Sequence, residues 1–338
     1  MVISKDSFLD YLFLSGIDVT MRKILKRGGL SDEEIEEVAS EIGYTDPIDK
    51  IISRPEILYW KKAAEKKKDT IWSLIYKRAK PQLPLILEYF RQEGLLDQGK
   101  VAIVDSGWVG TTQRSIKRLI SVVKPGFELD GYYFGLYSLP KDVDRRKYHT
   151  FYFRPWKDIE KKVLFSNCLF EAVVSEVSGM TLFYSKELDS VVPQKSSNSG
   201  LNREFLNEMD PVLTGYAEVL KSSLHLDNDI GISEAVLSRM MSRPDAWEAG
   251  SYGRLCFCDD VLEHGAQRIA SDLKYQDIRN LRPVRKLIIW TGKRFRIGNG
   301  LSSSTSIRES GWLYASIVNC GRNIKLSLFC ARLYQRLM

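Results

Sequence analysis

The segment Val101 to Gln113, VAIVDSGWVGTTQ, constrains the fold of this 338-residue chain more than any other stretch. Val101 to Val104 is a short apolar run, rich in β-branched side chains and followed at once by a glycine-containing turn, which predicts a buried parallel strand. Ile116, Leu119, Ile120 and Val123 then recur at i, i+3, i+4 and i+7, a spacing that puts four apolar side chains on one stripe of a helix. Gly131 to Leu136 supplies the next apolar, aromatic-rich run. Strand, helix and strand in this order predict one β-α-β unit, since parallel strands must be joined by a crossover.

The flanking sequence reads differently. Ser31 and Glu34 have the Ser-x-x-Glu spacing of a capping box, with Ile35 and Val38 following at helical spacing, so a helix from Asp32 to about Ile42 is expected. Pro55 stands where proline starts a helix well, ahead of Ile57, Leu58, Trp60, Ala63 and Ala64, and a further helix from Leu83 to Gln92 should stop near Gly94. Beyond the β-α-β unit, short strands are expected at Phe151 to Phe153 and Met180 to Tyr184, with a helix between them from Leu169 to Val177. Pro193 to Gly200, PQKSSNSG, reads as an exposed loop or linker. Amphipathic helices follow from Asn202, then a strand at Lys286 to Trp290 and a helical stretch from Trp312 to Leu337. The expected fold class is therefore α/β: a helical N-terminal lead-in, a mostly parallel sheet with flanking helices, and a mainly helical C-terminal part. The corresponding divisions are residues 1–98, an α/β core at 99–190, a flexible loop at 191–203, and 204–338. No repeat of fixed period is present.

Composition removes several classes. An apolar content of 44% suits a large core. No apolar run approaches the roughly 20 residues that cross a bilayer, and no secretory signal is read, so a cytoplasmic location is expected. Five cysteines without a CxxC pair suit reduced thiols, and three histidines, His149, His225 and His264, offer no zinc spacing. The net charge of +7 is spread over many segments and interleaved with acids, as where Glu65 interrupts Lys61 to Lys68. That pattern reads as solvated helix faces, not a nucleic-acid surface.

Chemistry concentrates after the first strand. Asp105 is placed where a strand ends, the position at which open α/β sheets present ligands, and is the candidate catalytic residue. Ser106, Gly107, Gly110, Thr111, Thr112 and Gln113 then lead into a helix, whose free N–H groups favour phosphate or carboxylate. Arg114 and Lys117 would add positive charge. Trp108, between two glycines, reads as a ring-stacking residue. A turn whose Thr111 or Thr112 merely caps the helix explains the same residues without a ligand. A P-loop is excluded, because GxxxxGK[ST] is missing. A phosphoribosyltransferase loop matches in part, with Ser106 where the second acid belongs. The Asp-x-Asp of haloacid dehalogenase (HAD) phosphohydrolases is broken by Gly107, which removes the general acid.

Other acids and bases rank lower. Asp142 and Asp144 follow no buried strand. Glu171 and Glu176, Asp227 and Asp229, and Asp259 and Asp260 are acid pairs of the kind that also serve as surface, turn or cap residues. Lys286, Lys293, Arg294 and Arg296 surround Trp290 in a stretch that suits a phosphate, a glycan or a lysine-guarded strand edge.

Residues 85–119, with Asp105, Gly107, Trp108, Gly110, Thr111 and Gln113 in a segment close to VDIGWxGTxQ, carry a family resemblance, as do GYYFGLY at Gly131 to Tyr137 and LFEAVVSEVSG at Leu169 to Gly179. They resemble the C-terminal region of large HAD-superfamily-like proteins encoded in bacterial surface-polysaccharide clusters. In that family a HAD catalytic half lies upstream, and this chain looks like the C-terminal part alone, as a truncated reading frame or a separate subunit. The resemblance implies a module of O-antigen or capsule biosynthesis that binds a phosphorylated sugar or nucleotide-sugar, compatible with magnesium, with a glycosyltransferase or a separate HAD subunit as partner. The hydrolase activity is not implied without its catalytic half. Two alternatives stay open: a non-catalytic docking module with Trp108 as interface anchor, and a phosphoribosyltransferase-like nucleotide enzyme.

Overall fold

The computed structural model describes residues 4–14, 19–97, 99–196, 202–222, 226–258, 266–279 and 310–337. The lead-in is helical: α1 (Phe8–Leu12), α2 (Met21–Lys26), α3 (Asp32–Glu41), α4 (Arg54–Glu65), α5 (Lys68–Ala79) and α6 (Gln82–Gln92). Local chemistry sets their limits. The Ser31 hydroxyl accepts from the Glu34 N–H at 3.3 Å while the Glu34 carboxylate accepts from the Ser31 N–H at 2.9 Å, the expected capping box. A second box joins Ser53 and Glu56 ahead of α4, whose first turn holds Pro55. Gly94, at φ +76°, turns the chain away after α6. Ile24, Leu25, Ile35, Ile57, Ala64 and Ile71 belong to one buried cluster that holds the first five helices together.

The β-α-β unit follows: β1 (Lys100–Trp108), α7 (Thr111–Ser121) and β2 (Glu128–Leu136), with β3 (Tyr148–Phe153) beyond it. The sheet order is β1-β2-β3 and both pairings are parallel. Two expectations are corrected here. β1 does not stop at Asp105: it pairs with β2 through Gly107↔Gly135 and Trp108↔Leu136. Two facing glycines permit this, since a Cβ on Gly107 would lie 2.0 Å from the Gly135 carbonyl oxygen. Nor is β1 buried. It is an edge strand whose exposure alternates, and Val104 is 88% exposed. Its inward residues Val101 and Ile103 pack with Leu129, Phe127 and Ile120 under α6 and α7. Val123, past the end of α7, is exposed.

After β3 come α8 (Ile159–Leu164), α9 (Asn167–Val174), and an antiparallel hairpin of β4 (Thr181–Glu187) and β5 (Ser190–Lys195). The stretch expected as a loop from Pro193 thus begins as strand. The reason is long-range: Val191 is fully buried, and the Gln92 side chain on α6 accepts from its N–H at 2.9 Å and donates to its carbonyl at 3.2 Å. The remainder comprises α10 (Arg203–Ser222), α11 (Leu226–Ser242), α12 (Ala246–Tyr252), β6 (Cys256–Phe257), β7 (Gln267–Arg268), α13 (Tyr275–Arg279), α14 (Leu313–Cys320) and α15 (Ile324–Leu337). The last helical stretch is therefore split, at Gly321 with φ +70°. The expected strand at Lys286 to Trp290 lies outside the described residues. Phe153, Phe165 and Leu169 share one core with Met241, Trp312 and Ala331, and the Trp312 indole N–H donates to the Met241 carbonyl at 2.8 Å. Among the described residues no helix is long and apolar enough to cross a membrane.

Candidate functional site

Asp105 and Ser106 sit half-buried within β1. The Asp105 carboxylate accepts from the Gly107 N–H at 3.0 Å and from the Ser106 hydroxyl at 3.4 Å. One oxygen of the carboxylate is thus anchored by backbone, which fixes where the group presents itself.

Trp108 departs from its expected role. It packs into the large core, with ring centroids 5.4 Å from Phe165, 5.9 Å from Tyr137 and 6.2 Å from Phe153. Its indole N–H donates to the Glu171 carboxylate at 2.6 Å. A half-buried ring with four aromatic neighbours and a satisfied N–H is a structural residue, not a free platform for a ligand or a docking anchor. Glu171 takes part in this link while Glu176 pairs with Lys195 at 3.4 Å, so the two do not form an acid pair.

Gln113 is also structural. It is 2% exposed; its amide donates to the Leu129 carbonyl at 2.8 Å and the Lys147 carbonyl at 2.9 Å, and accepts from the Tyr133 hydroxyl at 2.9 Å. Gly131 makes room for it, because a Cβ there would lie 2.1 Å from the Gln113 side-chain oxygen. Burial raises the Tyr133 phenol well above the ordinary tyrosine range, which keeps it a hydrogen-bond donor to Gln113.

The helix N-terminus is built on backbone instead of a threonine cap. Gly110, at φ +69°, occupies the N-cap of α7 with no side-chain cap, and Thr111 and Thr112 are exposed. The Tyr148 hydroxyl donates to the Gly110 carbonyl at 3.4 Å. Arg114 does not turn its charge to this terminus: its guanidinium pairs with Asp142 at 3.2 Å, joined there by Arg118. Asp144 caps a short 3-10 turn and binds Arg146.

Asp105 and Ser106 instead border a groove of about 540 Å³ on the sheet face away from α7. Tyr132 and Phe134 from β2, His149 and Phe151 from β3, and Phe170 from α9 supply most of its walls. The Tyr132 ring stacks on the His149 imidazole, with centroids 4.7 Å apart. His149 Nε2 lies 3.1 Å from Asp130 Oδ1, and that hydrogen bond, with Lys147 beside it, holds the Asp130 carboxyl below the usual carboxylate range. An aromatic trough with a fixed carboxylate and hydroxyl at one side can stack a ring and bind its hydroxyls.

Of the expected site residues, Asp105 and Ser106 therefore reach the groove, whereas Gly107, Trp108, Gly110, Thr111, Thr112 and Gln113 do not line it. Tyr132, His149 and Phe151 were missed. Their signal was the period-2 alternation of Tyr132 with Phe134 and of His149 with Phe151, which sends each pair to one face of its strand. Among the described residues no cluster of three histidine, cysteine, aspartate or glutamate side chains could hold a metal ion. Asp227 and Asp229 lie in α11 and not in a loop; Asp259, Asp260 and the basic stretch around Trp290 lie outside the described residues. Comparison with models of known protein families finds no match to the chain, and comparison with curated proteins finds none either.

Proposed function

We propose that this chain is a module of bacterial surface-glycan biosynthesis that binds a phosphorylated sugar or nucleotide-sugar in the groove beside Asp105. The observation that carries the reading is the meeting of a backbone-anchored carboxylate with an aromatic trough of about 540 Å³, a volume suited to a small ligand. Tyr132 and Phe151, exposed at 49% and 52%, stack on the sugar or base, and Asp105 and Ser106 take ring hydroxyls. Magnesium, if used, enters with the ligand's phosphates, because Asp105 offers a single carboxylate. The likeness of residues 85–119 to polysaccharide-cluster proteins supports the biosynthetic setting.

A second reading, a docking module for a hydrolase or glycosyltransferase, draws on the openness of the same sheet face at Val104, since parallel sheets are ordinarily covered on both faces. In that reading the anchor is the groove and not Trp108. The phosphoribosyltransferase alternative draws on less, because Ser106 to Trp108 of the expected anion loop continue β1.

A thermal-shift screen against nucleotide-sugars, sugar phosphates and phosphoribosyl pyrophosphate, with and without magnesium, tests the proposal. A ligand bound by the folded state alone must raise the melting temperature. A rise with a sugar nucleotide or sugar phosphate that Asp105→Asn abolishes supports it; no rise with any of them moves the reading to the docking module.

A further inference from the structure

The second half of α10 is almost wholly exposed. From Asn207 to Ser222 only Met209 and Leu220 are partly covered. Glu208, Val212, Tyr216 and Val219 follow at i, i+4, i+8 and i+11, so one exposed stripe of this helix is apolar along its length and acidic at its start. Ile232 and Val236 on α11 are exposed as well. A contiguous exposed apolar stripe on a helix marks an interaction surface. Its charge says what kind: α10 carries four acidic residues against two basic, in a chain whose net charge is +7. Glu208 and Asp210 have no ion pair among the described residues.

The complement is found in the same sequence. Arg54 to Lys80, spanning α4 and α5, carries nine basic residues against three acidic. Its exposed residues include Leu58, Tyr59 and Tyr76, and Tyr59, Lys62 and Lys66 recur at i, i+3 and i+7 on one side of α4 and its end. Lys62, Lys66 and Lys77 form no ion pair among the described residues, while Lys80 lies over the Tyr76 ring at 5.9 Å. This surface thus combines aromatic and aliphatic side chains with lysines that have no ion pair among the described residues, where the second half of α10 combines its apolar stripe with Glu208 and Asp210.

We propose that the chain self-associates head to tail, the acidic apolar second half of α10 in one copy docking on the basic aromatic surface of α4 and α5 in the next. Two different surfaces meet, so the contact is heterologous. Packing the acidic faces of two copies on each other would instead set like charges together. The contact is electrostatically steered, so it weakens as salt shortens the Debye length from roughly 10 Å at 0.1 M to about 3 Å at 1 M.

Light scattering during gel filtration, at low and at high salt, reads the association directly. Wild type is expected to run as dimers or larger species at low salt and to dissociate at high salt. Glu208→Lys with Asp210→Lys in one protein, and Lys62→Glu with Lys66→Glu in another, should each abolish association, and mixing the two reversed proteins should restore it. All four positions are on exposed helix surface, and circular dichroism checks that both variants stay folded. Carbodiimide cross-links between differently labelled copies should join Lys62 or Lys66 to Glu208 or Asp210. A monomer at low salt, an association untouched by both reversals, or binding of the α4 and α5 face to anionic lipid vesicles by a chain that stays monomeric would each overturn the proposal.

Discussion

Replacing Gln113 by leucine tests the structural role given to that residue, because leucine keeps the volume and removes every hydrogen bond. Three partners lose their mate: the Leu129 carbonyl at 2.8 Å, the Lys147 carbonyl at 2.9 Å and the Tyr133 hydroxyl at 2.9 Å. A buried polar group left unsatisfied costs about 1 to 3 kcal/mol. Taking the low end for each of the three groups, the total comes to about 3 kcal/mol, a large share of the roughly 5 to 15 kcal/mol that ordinary domains possess. Urea unfolding followed by circular dichroism should show a lower midpoint with an unchanged slope. Affinity for a groove ligand should stay as in wild type in the folded fraction. A midpoint within about 0.5 kcal/mol of wild type would refute the account of Gln113 as the stitch between α7, β2 and the start of β3.

Other perturbations probe other parts of the argument. Gly107→Ala should cost about 3 kcal/mol or more and lower the melting temperature, since its Cβ would meet the Gly135 carbonyl at 2.0 Å. Trp108→Ala should lower stability by about 3 kcal/mol in urea titrations, whereas Glu171→Gln, which keeps an acceptor for the indole N–H, should cost about 1 kcal/mol or less. Asp158, at φ +59°, is bound by the Arg154 guanidinium and N–H, and that bond brings its carboxyl down to about 2. A lowered folded value means stability present above the unfolded pKa near 3.9 and lost as pH falls through about 2. Asp158→Asn, which tolerates the same backbone, should therefore cost about 1 kcal/mol at neutral pH after solvent screening, a difference that closes between about pH 4 and 2 in unfolding titrations.

What was legible in the residues was local. The Ser31 to Glu34 box, the Pro55 start and the β-α-β unit depend on neighbours within a few positions or on a clean period, and all three stand in the structure. What was not legible depended on distant partners. β1 outruns its apolar residues because Gly135 faces Gly107, a fact invisible at Gly107 itself. Trp108 is drawn inward by Phe153, Phe165 and Phe170, more than forty positions on, and β5 forms in a polar stretch because Gln92 of α6 holds Val191. The candidate site divides in the same way. Asp105 and Ser106 were marked by their place on a strand, but the rings that complete the groove come from two other strands and a helix, and only the sheet register brings them together.

Isothermal titration of the purified chain with the sugar nucleotide or sugar phosphate giving the largest thermal shift tests the central claim most directly. It should be run beside Asp105→Asn, which can still accept from the Gly107 N–H, and Phe151→Ala, whose ring is half exposed in the groove. The account predicts saturable binding by wild type, and affinity reduced about tenfold or more in each variant, equivalent to about 1.4 kcal/mol. Binding of equal strength in all three proteins, or heat of binding in none, would contradict it.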